Sequence, residues 1–265
     1  MSKNRKQGQK QPIGFSQNYL TSYKTIKRLL HKTSIAARDH VIEIGPGKGH
    51  ITGQLLQSCH KVTAVELDEK LYGNLLEKFR AVENLNLYHQ DFMHWQLPIA
   101  ESYKVFANIP FCHTTDILRK LTESKNQPSE AWLTMEKGAA KRFMGKPHET
   151  MRSLMIKPVF DLKIIYYFER EDFHPKPGVD VVLLHLKKKP QSDVLPAQWR
   201  DYENFVSRAL RNHGAELRSM FTNKQLSRAF QEAGISNFSS GEVLYVQWLC
   251  LFRSYLKHVL HRISV

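Results

Sequence analysis

The sequence has 265 residues, of which 42% are hydrophobic and 24% charged, a composition that excludes a disordered or fibrous chain. Its formal net charge of +14 indicates a polyanionic partner, and nucleic acid is favoured over a membrane because the basic residues are spread along the chain. The sequence has no apolar run of ~20 residues and no secretory signal, so we expect a cytoplasmic protein. It has no closely spaced cysteine pair, so we expect reduced thiols and no metal site.

A basic arm without acidic residues occupies positions 1–13, and from Asp39 onward short β-rich runs alternate with helix-like ones. This alternation is typical of βαβ units around a parallel sheet. The strand candidates are Val41–Ile44, Lys61–Glu66, Leu85–Gln90, Lys104–Ala107, Ala131–Met135, Ile164–Phe168 and Val181–Leu186. The helix candidates between them are Leu67–Phe79, Thr115–Leu121 and Gly138–Met144. Residues 14–189 are therefore predicted to form a doubly wound, Rossmann-like α/β domain with a seven-stranded sheet.

The alternation stops at Pro190, where a polar stretch indicates a linker. Beyond it, apolar and aromatic residues recur at steps of three and four positions, as they do on amphipathic helices. The predicted helices are Trp199–Leu210, Asn223–Ala233 and Trp248–Val259. Gly234 is a plausible C-cap of the middle helix. Residues 190–265 are therefore predicted to form a small all-α domain.

A glycine-rich turn follows the first strand candidate and carries the strongest local pattern. Its sequence is E-I-G-P-G-K-G, from Glu43 through Gly45 and Gly47 to Gly49. His50 stands where a dinucleotide fingerprint needs its third glycine, and the P-loop pattern is absent as well. The turn instead resembles the first motif of S-adenosylmethionine methyltransferases, in which the glycine backbone closely approaches the ligand.

Acidic residues end the next two strand candidates at the same expected edge of the sheet. Glu66 is positioned to accept hydrogen bonds from both ribose hydroxyls of the cofactor. Asp91 is predicted to accept from the cofactor's adenine amino group, with Phe92 packed near the ring. The alternative is that the glycines form an ordinary turn and that Glu66 and Asp91 are solvated residues at the ends of their strands. It requires suitable residues to occur at three strand ends by chance. The set therefore predicts an S-adenosylmethionine site.

The fourth strand candidate is followed by Asn108-Ile109-Pro110-Phe111, which resembles the [D/N/S]-[P/I/L]-P-[Y/F/W] motif of amino-directed methyltransferases. The exocyclic amino group of adenine is a poor nucleophile because its lone pair is delocalised into the ring. If the Asn108 side-chain oxygen and the Ile109 carbonyl accept its hydrogens, the lone pair can point at the methyl group. Phe111 would stack on the base after it leaves its RNA stack. Asn before Ile-Pro is also common in ordinary loops.

With both motifs present, the chain resembles the erythromycin-resistance (Erm) family of 23S rRNA adenine-N6 methyltransferases over about residues 14–260. Ser16–Leu20 is similar to a family element over the methionine end of the cofactor, which implies cofactor contacts by Asn18, Leu20 and also Asn108. Asp172–Pro177 resembles the late F-x-P-x-P loop beside the base pocket. The resemblance further implies RNA contacts by Lys141, Arg142, Arg152 and Lys176.

The resemblance implies a class I methyltransferase domain and a helical RNA-binding domain over 190–265. The expected activity is transfer of one or two methyl groups to a specific adenine of unassembled or precursor 23S rRNA, by a monomer. Resistance to macrolides, lincosamides and streptogramin B would follow. The alternatives are a small-subunit rRNA dimethyladenosine transferase, a DNA adenine methyltransferase and a non-catalytic RNA-binding module. The His174–Pro177 sequence and the compact tail favour the Erm family over the small-subunit enzymes.

Overall fold

The computed structural model describes residues 18–260, apart from the side chain of His213. The predicted basic arm, together with Ser16 and Gln17, lies outside the described residues. The strands are β1 (Tyr19–Leu20), β2 (His40–Ile44), β3 (Lys61–Glu66), β4 (Leu85–His89), β5 (Lys104–Asn108), β6 (Glu130–Glu136), β7 (Phe160–Tyr167), β8 (Phe173–His174) and β9 (Val181–Lys188). Seven of them form one sheet in the order β4-β3-β2-β5-β6-β9-β7. The predicted seven-stranded α/β domain is thus confirmed.

In this described part of the chain, ten α-helices connect the strands and build the tail. They are α1 (Tyr23–Leu30), α2 (His50–Leu55), α3 (Glu69–Lys78), α4 (Thr114–Glu123), α5 (Lys137–Phe143), α6 (Met151–Ile156), α7 (Trp199–Ala209), α8 (Ala215–Ser219), α9 (Asn223–Glu232) and α10 (Tyr245–His258). Each predicted helix is present within a few residues of its expected ends. Helices α1, α2, α6 and α8 have no counterpart among the helix candidates.

The sheet is mixed, so the expectation of a purely parallel sheet is wrong at one strand. β2, β3, β4, β5 and β6 pair in parallel, whereas β9 runs antiparallel to both β6 and β7. The segment 168–180 between β7 and β9 contains no crossover helix. Antiparallel neighbours need no such crossover, so β9 can turn back and lie between β6 and β7.

Both faces of the sheet are covered, which explains why its central strands read as continuous apolar runs. All five residues of β2 are buried. Val41 and Phe106 belong to the core on one face, while Ile42 and Val105 belong to the core on the other. The carboxyl ends of β2, β3 and β5 consequently meet at one edge of a rigid, doubly covered layer.

The two shortest strands tie the start of the described chain to a late loop. Tyr19 of β1 lies opposite His174 of β8, and Leu20 lies opposite Phe173, in an antiparallel pair. Leu20 and Phe173 are both buried in the core beneath the sheet. This pair brings residues 18–20 and the Pro175 loop to the carboxyl edge of the main sheet.

The C-terminal helices form a second core that includes Tyr202 and Trp248. Ala233 is the C-cap of α9, and Gly234, which follows it, has φ +64°, the left-handed conformation with which glycine closes a helix. Leu154 of α6 also belongs to this core, and its carbonyl accepts a 2.9 Å hydrogen bond from the Tyr202 hydroxyl. Helix α6 therefore connects the α/β part of the chain with the core of the C-terminal helices. The domain boundary near Pro190 stays a prediction. Within residues 18–260, no helix has the length and apolar content of a membrane span.

Candidate active site

A cavity lies at the carboxyl edge of the sheet, with about 430 Å³ of empty space that includes its opening to solvent. The tips of β2, β3 and β5 and the segment before β1 converge on it. The lining residues are Asn18, Tyr19, Gly45, Gly47, Glu66, Asn108, Ile109, Pro110 and Phe111. Eight of these nine residues were predicted as site residues. The glycine-rich turn and the motif at residues 108–111, about 60 residues apart in the sequence, therefore meet at one site.

The glycine turn approaches the cavity with backbone alone. Gly45 and Gly47 have φ values of +64° and +57°, in the left-handed region that favours glycine. The Gly45 amide donates to the Val65 carbonyl at 3.0 Å, which anchors the turn to β3. A Cβ on Gly47 would lie 2.7 Å from Cε1 of Tyr19, so the ring closes directly over the turn.

Tyr19 is the lining residue that sequence reasoning missed. Burial, with the nearby Glu66 carboxylate, raises the pKa of Tyr19, and the Lys48 ammonium lies 5.2 Å from the ring centroid. The alternation of side-chain direction along a strand could have indicated that Tyr19 faces the cavity. If Leu20 faces the core, its neighbour Tyr19 must face the other way, towards the glycine turn.

Glu66 presents a carboxylate that backbone amides hold in one orientation. Oε2 accepts from the Gly47 amide at 2.9 Å, and Oε1 accepts from the amides of Leu67 and Asp68, each at 2.9 Å. Both lone pairs of Oε1 are thus used, and Oε2 can accept one further hydrogen bond. The side chain is therefore preset to receive a hydroxyl at Oε2. Together with the glycine backbone, this arrangement fits the ribose of S-adenosylmethionine.

Glu43 of β2 lies directly beneath the same turn and is fully buried. Its Oε2 has no hydrogen-bond partner within the described part of the chain. Burial, with the repulsion of the nearby Glu66 carboxylate, raises the pKa of Glu43 to about 8. Glu43 is therefore mostly protonated at neutral pH.

Asn108 has a defined amide orientation. Its Nδ2 donates a 2.7 Å hydrogen bond to the backbone carbonyl of Asn18, whose own Nδ2 donates to the Pro175 carbonyl, also at 2.7 Å. A carbonyl only accepts, so the nitrogen of the Asn108 amide must face Asn18. Oδ1 then lies on the opposite side and is the acceptor available to a substrate. The Ile109 amide donates to the Thr134 carbonyl at 3.3 Å, which holds the turn against β6.

Three of the predicted cofactor residues do not line the cavity. Leu20 is only 2% exposed and packs in the core. Asp91 caps the turn after β4, accepting from the amide of Met93 at 2.8 Å. Phe92 is buried and stacks on Trp95, with ring centroids 6.2 Å apart. Their contacts with the cofactor stay predictions.

The four basic residues predicted to bind RNA occupy three different surroundings. Lys141 and Arg142 are exposed on α5. Arg152 lines a cleft of about 1,380 Å³, open to solvent, between the catalytic domain and α7. Lys176 forms a 2.8 Å ion pair with Glu171 on the late loop. Their RNA contacts stay predictions.

Comparison with known proteins gives a consistent result. The family model described as "Ribosomal RNA adenine dimethylase" matches residues 8–247. An rRNA adenine N-6-methyltransferase of Escherichia coli is 34% identical over 244 residues, 92% of this chain and 96% of that protein. One from Limosilactobacillus reuteri is 35% identical over 246 residues, 93% of this chain and 97% of that protein.

Two solved structures share the fold over nearly their whole length. The 23S rRNA methyltransferase ErmE superposes with a TM-score of 0.82 at 24% identity, over 90% of this chain and 99% of that one. A dimethyladenosine transferase from Plasmodium falciparum superposes with a TM-score of 0.75 at 19% identity, over 90% of this chain and 97% of that one. Both include the α/β domain and the helical tail, so the two-part architecture is shared as well.

Proposed function

Because this chain belongs to the ribosomal RNA adenine dimethylase family, we propose that its cavity methylates the N6 amino group of one specific adenine in 23S rRNA. The protein is an S-adenosylmethionine-dependent rRNA adenine-N6 methyltransferase. The choice of the 23S molecule, and the resistance to macrolides, lincosamides and streptogramin B that would follow from it, are the parts we propose.

The orientation of the Asn108 amide is the observation that carries this reaction. S-adenosylmethionine supplies an electrophilic methyl group on a sulfonium. Oδ1 of Asn108 and the carbonyl of Ile109 would accept the two amino hydrogens of the adenine. This draws the nitrogen lone pair out of conjugation and aims it at the methyl carbon. Phe111 would hold the base by stacking, worth ~1–3 kcal/mol.

The remaining lining residues hold the methyl donor still while the base enters. Gly45 and Gly47 bring bare backbone to the ligand, and Glu66 is already oriented for a ribose hydroxyl. Neither the amide oxygen of Asn108 nor a peptide carbonyl is basic enough to keep a proton. We therefore expect the N–C bond to form as the methyl–sulfur bond breaks, which would leave the sulfur as a neutral thioether. The amino proton would then leave to solvent. Catalysis then consists of positioning and polarisation, without a dedicated general base.

The late loop supports the 23S molecule over the small-subunit RNA. Its sequence, from His174 to Pro177, has the form found in the Erm family, and the Asn18–Pro175 hydrogen bond ties it to Asn108. We therefore expect this loop to lie beside the path by which the base arrives. We further propose that the enzyme acts in the cytoplasm, as a monomer, on RNA not yet assembled into ribosomes.

The test compares both rRNAs in cells that produce the wild-type chain or the Asn108→Ala variant. Nuclease fragments of 23S and 16S rRNA are analysed by mass spectrometry for the gain of one or two methyl groups. We expect a single new site in 23S rRNA, absent with Asn108→Ala, and growth on erythromycin only with the wild type. A new site confined to 16S rRNA would contradict the 23S assignment and identify a small-subunit dimethyladenosine transferase.

A further inference from the structure

An exposed tyrosine ends the outermost strand of the sheet, outside the cavity described above. Tyr167 is the last residue of β7 and is 60% exposed. The ammonium of Lys137 lies 5.9 Å from the centroid of its ring. A large apolar ring on the surface with a cation at its side is the arrangement that stacks on single-stranded nucleic acid bases.

The strand register places the end of β7 level with the reacting centre, with Tyr167 one residue beyond the aligned position. Asn108 of β5 lies opposite Thr134 of β6, Thr134 opposite Leu183 of β9, and Leu183 opposite Tyr166 of β7. β5, β6 and β7 run in the same direction, so their carboxyl ends share one edge of the sheet. Three strand spacings separate Asn108 from the end of β7, a distance of about 14 Å. At ~3.4 Å per stacked nucleotide, this corresponds to about four nucleotides of one strand, and to fewer where the strand is more extended.

Two cations lie near the ring and share one carboxylate. Asp180 pairs with Lys137 at 3.0 Å and with Arg170 at 4.0 Å. The hydrogen bond from Lys137 lowers the pKa of Asp180 below its usual value, and the charges of Arg170 and Lys141 lower it further. Glu169, Glu171 and Asp172 lie in the segment that follows the tyrosine, so the surface carries both signs of charge. Lys137 and Arg170 are the groups available to the phosphates on either side of a stacked base.

We propose that Tyr167, flanked by Lys137 and Arg170, is a stacking site for a base of the RNA strand that leads to the target adenine. The proposal rests on the proposed function for the identity of that strand. A second anchor at this distance would hold the strand in register while the adenine turns into the cavity. Its affinity is independent of sequence, because every base has a face on which an aromatic ring can stack.

The first experiment measures the affinity of the full chain for a single-stranded adenylate oligonucleotide by fluorescence anisotropy. Tyr167→Ala should weaken binding about five- to a hundredfold, whereas Tyr167→Phe, which keeps the ring, should bind within about twofold of the wild type. The matched control is Tyr88→Ala, since Tyr88 is 43% exposed on the opposite edge strand, β4. Its affinity should be unchanged. Thermal melting shows whether each variant is folded.

The second experiment uses the wild-type protein, so it does not depend on any variant folding. Nucleotides flanking the target adenine in a 23S rRNA fragment are replaced one at a time by abasic nucleotides. One position about two to four nucleotides from the adenine should lose affinity by the same factor as Tyr167→Ala. The loss from that abasic position and the loss from Tyr167→Ala should not add when they are combined.

The results separate this proposal from the proposed function. If the wild type methylates 23S rRNA but Tyr167→Ala binds both RNAs as tightly as wild type, the stacking site is wrong and the function stands. If Tyr167→Ala loses affinity for the adenylate strand while 23S rRNA is never methylated, the stacking site stands and the function is wrong. Losses that add fully at every abasic position would also overturn the stacking site.

Discussion

Replacing Glu43 by glutamine should remove a pH-dependent penalty on the stability of the protein. Glu43 is fully buried beneath the glycine turn, and its pKa is raised from 4.5 to about 8. In the unfolded chain the same carboxyl ionises near its ordinary value. Glutamine keeps the shape of the protonated side chain but has no proton to lose over this range.

The sign follows from the protons bound in each state. Between pH 4.5 and about 8, the folded protein keeps the Glu43 proton whereas the unfolded chain has released it. Stability contributed by this group is therefore fully present below pH 4.5 and is lost as the pH rises through the folded pKa. The slope is ~1.4 kcal/mol per pH unit. Raising the pH from about 5.5 to about 7.5 should thus cost the wild type about 3 kcal/mol that Glu43→Gln does not lose.

Urea denaturation of both proteins across this pH range measures the effect. The quantity of interest is how their difference in unfolding free energy changes with pH, because every other titrating group is common to both. A constant offset from the new amide cancels in that comparison. Parallel stability curves for the two proteins would show that Glu43 is ionised in the folded state and would refute the argument from its burial.

The strands and their common edge could be predicted because burial leaves a direct imprint on the sequence. Doubly covered strands read as short apolar runs, and parallel strands bring their carboxyl ends together. β7 shows the limit of this reasoning, since its first half was missed. On this edge strand Asp161 and Lys163 alternate with apolar neighbours, so the segment reads as polar although it pairs along β9.

The direction of β9 could not be derived from periodicity. A residue period of two is the same for parallel and antiparallel strands, so the apolar run at Val181 fits either pairing. The distinguishing feature is the connection before it, which carries turn residues and prolines but no helical pattern. A parallel neighbour would need a crossover there, so the length and composition of the connection carried the missing information.

Within the site, the positions of Glu66 and Asn108 followed from their place at strand tips, but the direction of other side chains did not. Asp91 and Phe92 also follow a strand, yet the turn that Asp91 caps directs the Phe92 ring into the core. Tyr19 enters the cavity because a two-residue strand pairs with a partner far away in sequence. Such a long-range pair leaves no local pattern.

Three further changes separate the roles of the cavity and the basic surface. Glu66→Gln should weaken S-adenosylmethionine binding about ten- to a hundredfold by calorimetry, with RNA affinity unchanged, because it replaces one acceptor oxygen of a side chain that lines the cofactor cavity and is held by the glycine turn. Asn108→Ala should lower the single-turnover rate more than either binding constant, since its hydrogen bond strengthens as the amino nitrogen pyramidalises. Replacing Lys141, Arg142 and Arg152 together by alanine should flatten the slope of log K against log salt by up to ~2 units, because each phosphate that is no longer neutralised reduces the slope by ~0.7. Cofactor affinity should not change in that triple variant, because none of the three side chains lines the cavity. An unaltered slope would place the phosphate contacts on other surfaces, such as the basic residues around Tyr167.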